Sequence, residues 1–294
     1  MSLALNALTD ELRRLKASGV ARVPVSDGAL EALRRSVAVQ AGTRKAPAPA
    51  PGPVPAAAAP AAPAVERPVG VPEAAPPVVV LPEGDKAARW EALRHMVLED
   101  PTCTSKVRPG KKVVLGVGSL DAAIMFIGEA PGAEEEIQGE PFVGPAGQLL
   151  NRMISGMGIT RADVYVGNIM NWRPDLPAGE DGVQTGNRPP TEREMAHCLP
   201  YLRAQMDIVA PRLLVALGAS AAKALLGSKS FGALGEVRGR WHDFGGRPLM
   251  VTYHPSYILR SPTNRNKRLI WEDLLKVMER AGLPISDKQR GYYL

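Results

Sequence analysis

The chain has 294 residues, a formal net charge of +6 and only two cysteines, Cys103 and Cys198. That length suits one or two domains with a sizeable core, and so few cysteines exclude a disulfide scaffold. With no apolar run of membrane-spanning length and no signal-peptide pattern, the sequence leads one to expect a soluble, cytoplasmic monomer with no membrane contact, whose basic balance favours an anionic partner.

Residues 3–16 place Leu5, Leu8, Leu12 and Leu15 on one helical stripe, and a second short helix is expected after Ser26, burying Leu30, Leu33 and Val37. Residues 1–40 thus read as a short helical segment, either a small appendage or a docking helix for a protein partner. Twelve prolines between Ala46 and Pro82 preclude a packed core, so residues 41–84 read as a disordered, semi-rigid Pro/Ala linker. A helix is expected over 86–98. Short apolar runs follow at 112–115, 122–127, 164–168, 213–217 and 249–253. Helices over 146–157, 192–209 and 219–226 lie between the last four. Thr191 and Glu194 form a capping box at the start of the second of these, and Pro200 is expected to kink or split it. The alternation β-α-β-α-β-α-β predicts a three-layer α/β/α fold around a central, mostly parallel, four-stranded sheet. Its bounds are 85–282, with a C-terminal tail at 283–294.

Open parallel sheets bind ligands beyond the carboxyl ends of their strands. The run 122–127 leads into Gly128-Glu129-Ala130-Pro131-Gly132, a turn shaped like an anion cradle. Glu129, Glu134, Glu135, Glu136 and Glu140 surround it, which argues against phosphate. The next run ends at Asn168, a turn former that can also present a donor and an acceptor together, as reading a nucleobase edge requires. The last ends in Thr252-Tyr253-His254-Pro255-Ser256, a rigid turn that can aim an imidazole into a cleft. Phe142 sits in a Gly- and Pro-bounded loop and suits either core packing or a stacking platform. Together these residues describe a pocket for a flat, neutral, hydrogen-bonding ring.

Three stretches, GEAPGAEEEIQGEPFVGPAG (128–147), GNRPPT (186–191) and TYHPS (252–256), resemble the motifs of the uracil-DNA glycosylase superfamily, and its family 4 above all. The resemblance covers roughly residues 85–280. It implies a base-excision repair enzyme that extrudes uracil from DNA and hydrolyses its N-glycosidic bond, leaving an abasic site. On that resemblance the flipped uracil lies against Phe142, Asn168 reads its polar edge, and Glu135 sits near C5. His254 stabilises the charge that develops at O2, and Asn187 belongs to the active site. The aspartate that activates water in other branches is replaced by Ala130, which leaves Glu129 and Asn187 as candidates. Residues after His254 enter the minor groove: Ile258 or Leu259 fills the vacated stack, while Ser256, Arg260, Arg265, Lys267 and Arg268 meet the DNA.

The resemblance also implies a four-iron cluster held by four cysteines. Cys198 matches the fourth and Cys103 lies near the first pair, but Asp100 and Lys106 stand three residues away and Trp172 occupies the third position. Cys103 and Cys198 therefore read as remnants, and no cofactor is expected. The alternatives are a [4Fe-4S] cluster as in the family, or a metal on Cys103 and Cys198 with His197 or Asp100. Two other functions compete: a non-cleaving binder of deaminated bases or single-stranded DNA, and a nucleotide-binding domain, disfavoured by the lack of a Gly-Lys-Ser/Thr loop.

Overall fold

A computed structural model describes residues 75–176, 184 and 186–294. The helices expected within residues 1–40 lie outside the described residues, as does most of the linker. The chain divides after Arg67, and all that follows concerns the second unit, Pro68–Leu294.

Its centre is a six-stranded sheet in the order β1-β3-β2-β4-β6-β5. The strands are β1 (Val117–Gly118), β2 (Ile124–Gly128), β3 (Tyr165–Asn168), β4 (Leu213–Leu217), β5 (Trp241–Phe244) and β6 (Arg247–Thr252). β3, β2, β4 and β6 run parallel, as the alternating order predicts, and an antiparallel strand closes each edge. The sheet is therefore wider than the four strands expected. The apolar run 112–115 is not a strand: Val114 N–H makes one backbone bond, to Asn171 O, while the Asn171 side chain donates back to Val114 O, and the ladder forms only at Val117 and Gly118. β5 escapes the sequence pattern because it is short and half exposed. It pairs with β6 across a Gly245-Gly246 turn, both residues at positive φ, which β-hairpin twist favours.

Alternation along the strands divides the core. Met125, Ile127, Leu214, Ala216, Leu249 and Val251 face one side, where α1 (Lys86–Glu99), α5 (Glu192–Val209) and α6 (Ala219–Leu226) pack. Ile124, Phe126, Leu213, Val215, Leu217 and Met250 face the other, against α4 (Pro145–Gly156), α7 (Pro255–Arg260) and α8 (Asn264–Ala281). β2 and β4 are buried throughout, as strands covered on both faces must be. Two short helices, α2 (Pro101–Ser105) and α3 (Ala133–Gln138), connect these layers, and α9 (Asp287–Arg290) lies in the tail.

Local chemistry sets the ends. Asp85 caps α1 through Ala88 N–H, Asp100 caps α2 ahead of Pro101, and Thr191 with Glu194 forms the expected box at α5. Pro200 does not split α5, which runs unbroken for 18 residues. Both flanks of the domain are tied down. Val79 and Leu81, in the last residues of the expected linker, pack on the first core. In the tail, Leu283, Ile285 and Tyr292 pack on the second, and the Trp271 indole donates to Gln289 O.

Candidate active site

Four parallel strands end on one rim. β2 runs into Glu129, β3 ends at Asn168, β4 leads to Gly218 and Ser220, and β6 to His254. Gly128 is wedged between two side chains, since a Cβ there would approach Asn168 Oδ1 and Phe142 Cζ to 2.4 Å each. The structure thus brings Asn168 and Phe142 together. Asn168 is 7% exposed, and its Oδ1 is buried without a hydrogen-bond partner. Such an orphaned acceptor costs about 1–3 kcal/mol; among the described residues Asn171 Oδ1 and Trp172 Nε1 share that state, but only Asn168 stands on the strand-end rim.

Phe142 is 5% exposed and adopts φ 56°, a strained backbone for a bulky residue. Its loop is clamped by Glu135, whose Oε2 accepts from Gly132 N–H at 3.0 Å and whose Oε1 accepts from Gly144 N–H at 3.1 Å. One carboxylate therefore pins both ends of the segment that carries the ring. The ring lies 5.6 Å from the His254 imidazole.

His254 caps α7. Its Nδ1 accepts from the Ser256 backbone N–H at 3.2 Å and lies 2.9 Å from the Ser256 hydroxyl. Arg260 Nη1 donates to that hydroxyl oxygen at 3.1 Å. A guanidinium can only donate, so the Ser256 hydrogen turns toward Nδ1, and the neutral ring carries its proton on Nε2. Burial, with the Arg260 charge second, pushes the His254 pKa down to about 4. The imidazole is neutral at pH 7.

Glu129 accepts a hydrogen bond from Ser220 Oγ. Burial raises its pKa, while the Ser220 bond and the Arg260 charge offset part of that rise. Asn187 stands apart: it is exposed, and its Oδ1 accepts from Arg173 Nε at 2.8 Å. Arg173, itself buried, also holds Gly186 O and the Glu136 carboxylate, which Arg108 grips as well. Glu136 thus belongs to an ion-pair network rather than to the pocket.

Beyond His254 the two candidate wedges separate. Ile258 is 6% exposed and packs in the second core, whereas Leu259 is 44% exposed. Ile258, expected at the DNA, is a core residue, because helical phase turns its neighbour outward instead. Ser256 is engaged with His254. Arg268 holds the tail through Arg290 O and Tyr292 O, while Arg265 is exposed.

The expected cluster site contains other chemistry. Cys103 and Cys198 are buried free thiols, and Trp172 is 1% exposed in the same core cluster. Asp100 Oδ2 accepts from the Tyr201 hydroxyl at 2.6 Å and lies 2.7 Å from His197 Nε2, while Oδ1 caps α2. Burial raises the Asp100 pKa, but the Tyr201, His197 and Thr102 bonds outweigh it and bring the carboxyl below its ordinary value. Two thiolates, with an indole and a committed carboxylate in the other places, do not fit a four-iron cluster. Asp100, Cys103 and His197 do place ligand atoms within 4.8 Å of one another, a spacing that could hold a metal ion.

Sequence reasoning missed Ser220 and Arg173. Ser220 was open to discovery by the strand-end rule, since it follows β4 as His254 follows β6. Arg173 carried no such signal, because its partners Glu136 and Asn187 come from distant segments.

A parallel sheet whose rim sets an orphaned amide beside an aromatic face and a neutral imidazole defines a base-recognising α/β enzyme. The chain belongs to the uracil-DNA glycosylase superfamily: the family model "Uracil DNA glycosylase superfamily" matches residues 115–275. It is 42% identical over 165 residues to the type-4 uracil-DNA glycosylase of Thermotoga maritima, covering 56% of this chain and 80% of that protein. A type-4 uracil-DNA glycosylase of Pyrobaculum aerophilum is 40% identical over 165 residues, 53% of this chain and 78% of its own length. A type-5 uracil-DNA glycosylase of the same organism is 31% identical over 182 residues, 56% and 73% of the two chains.

Proposed function

We propose that this protein is a monofunctional uracil-DNA glycosylase that flips uracil out of DNA and hydrolyses its N-glycosidic bond. The observation that carries the reading is the unpartnered Asn168 Oδ1 beside Phe142. Uracil offers an N3–H donor and an O4 acceptor side by side, which an amide satisfies in one orientation. Cytosine has an acceptor at N3 and leaves the same oxygen unpaired, and a site built to hydrogen-bond rejects such a mismatch strongly. Phe142 is the stacking face, with Glu135 holding its loop.

Catalysis rests on charge. As the C1′–N1 bond breaks, negative charge collects on uracil O2, where the Nε2–H of a neutral His254 donates. A neutral donor suits a leaving anion because it stabilises the charge without protonating the base in advance. The sugar becomes oxocarbenium-like, and the Glu129 carboxylate favours it and takes a proton from water. Leu259, with Arg260 behind it, is the side chain exposed to fill the vacated stack. Asn187, held by Arg173, takes no part in these steps in our reading.

No step uses a cofactor. In our reading the Asp100–His197–Tyr201 network and the Trp172 indole stand where the family's cluster would be, and the domain holds no iron–sulfur group. Among the described residues no helix is long and apolar enough to cross a membrane. We place the enzyme in the cytoplasm as a monomer on uracil-containing DNA, in keeping with two thiols left unpaired. Residues 1–40 remain a proposed docking segment for a protein partner.

The test is incubation with a uracil-containing oligonucleotide, followed by alkali to cleave abasic sites. Strand cleavage is expected. Tight binding of the uracil strand without cleavage would instead make this a reader of deaminated bases.

A further inference from the structure

Ser220 opens α6 immediately after β4, yet it does not serve the helix. The N-cap is Gly218, which has no side chain, and the Ser220 hydroxyl is spent on Glu129 Oε2. β2 and β4 are neighbouring parallel strands, paired up to Ile127 and Ala216, so Glu129 and Ser220 meet across the same gap just past the ladder. The turn between them is tight: Gly218 adopts φ 93°, and a Cβ on it would lie 3.1 Å from His254 Cβ. That turn therefore touches both halves of the reaction centre.

We propose that Ser220 is a positioning residue for hydrolysis, fixing one oxygen of Glu129 so that the other takes the proton of the attacking water. This rests on the glycosylase reading. In the step, a water O–H bond breaks and its proton passes to Glu129 Oε1. The oxygen bonds to C1′ while the C1′–N1 pair leaves on uracil, and its charge is met by His254 Nε2–H. The carboxylate loses one negative charge and the departing base gains one. The acid later returns its proton to the uracil anion or to solvent, so no co-reactant is needed.

Burial favours the protonated form of Glu129, which works against its use as a base. Two groups act against this from different elements, the Ser220 hydroxyl of α6 and the Arg260 charge of α7. Arg260 also acts on His254, whereas the Ser220 hydroxyl bonds Glu129 directly.

The experiment is a single-turnover pH profile of uracil excision for the wild type, Ser220→Ala, Ser220→Thr and Glu129→Gln, from about pH 5 to 9. Ser220→Ala is expected to move the acidic limb to higher pH by about one unit and to recover to within about threefold of wild type on the alkaline side. Ser220→Thr keeps the hydroxyl and should keep the wild-type limb, while Glu129→Gln should lose the limb with most of the rate. A Ser220→Ala profile that is unmoved, or lowered by one factor at every pH, overturns the role, as does a Ser220→Thr profile that matches Ala. Failure of the wild type to excise uracil overturns the glycosylase reading itself, a separate outcome.

Discussion

The centre of the Phe142 ring lies 5.6 Å from that of His254, their planes 31° apart. The stacking face and the oxyanion donor proposed above thus sit side by side, although 112 positions separate them in sequence. On that proposal, a change at one ring should be felt at the other.

Phe142→Ala should lower single-turnover excision by roughly 10- to 100-fold, because base–aromatic stacking is worth about 1–3 kcal/mol per base. Phe142→Leu, which keeps bulk without a π-face, should recover only part of it. Equal rates for Leu and wild type in a gel-based excision assay would remove the platform role.

Asn168→Ala deletes the orphaned acceptor. Discrimination of uracil over cytosine should then collapse along with the rate, whereas a merely structural amide would cost rate and leave selectivity intact. Competition between uracil- and cytosine-containing oligonucleotides measures this directly.

His254 couples the stability of the fold to acid over a pH interval in which the folded imidazole stays neutral. Its pKa drops from about 6.5 in an unfolded chain to about 4 in the fold, so between those values the unfolded state binds the proton first. The fold should lose stability as the pH falls from about 6.5 toward 4, yet the imidazole should remain neutral and competent over the same interval. Urea midpoints at several pH values, with His254→Gln as the control lacking this contribution, test the first part. His254→Ala should cost roughly 10²–10³ in rate.

Leu259→Ala should impair excision from duplex DNA more than from a single strand, because only the duplex has a vacated stack to fill. Equal losses on both substrates would assign Leu259 to general contact instead.

At the Asp100–His197 site, purified protein should be colourless and free of stoichiometric iron by elemental analysis. Trp172→Ala should destabilise the domain by about 3–5 kcal/mol, as expected for deleting a fully buried ring. A brown protein whose stability falls on chelation would restore the cluster.

The parallel strands and their ligand-bearing ends were legible because buried parallel strands write themselves as short aliphatic runs. Residues 112–115 show the limit of that signal: the run is apolar, but its neighbour accepts only one bond from it. β5 was hidden because a half-exposed edge strand of four residues leaves little pattern. Glu129, Asn168, Phe142 and His254 could be named from motif and position alone. Which oxygen of Glu135 holds which glycine, or that Ile258 faces inward while Leu259 faces out, depends on helical phase and loop closure that one sequence does not encode locally. Arg173 joins segments with no periodic relation, so it was invisible.

Gly147 sits against the backbone of Phe142 so tightly that a Cβ would overlap the Phe142 carbonyl oxygen at 1.7 Å. At Gly128 a Cβ would meet the Phe142 ring itself, so Phe142 is crowded by one glycine at its backbone and by another at its ring. A side chain on either glycine would therefore have to displace Phe142. Substitution at either position should thus read out as displacement of the ring proposed to stack on the base, and both glycines are constrained by one residue that neither adjoins in sequence.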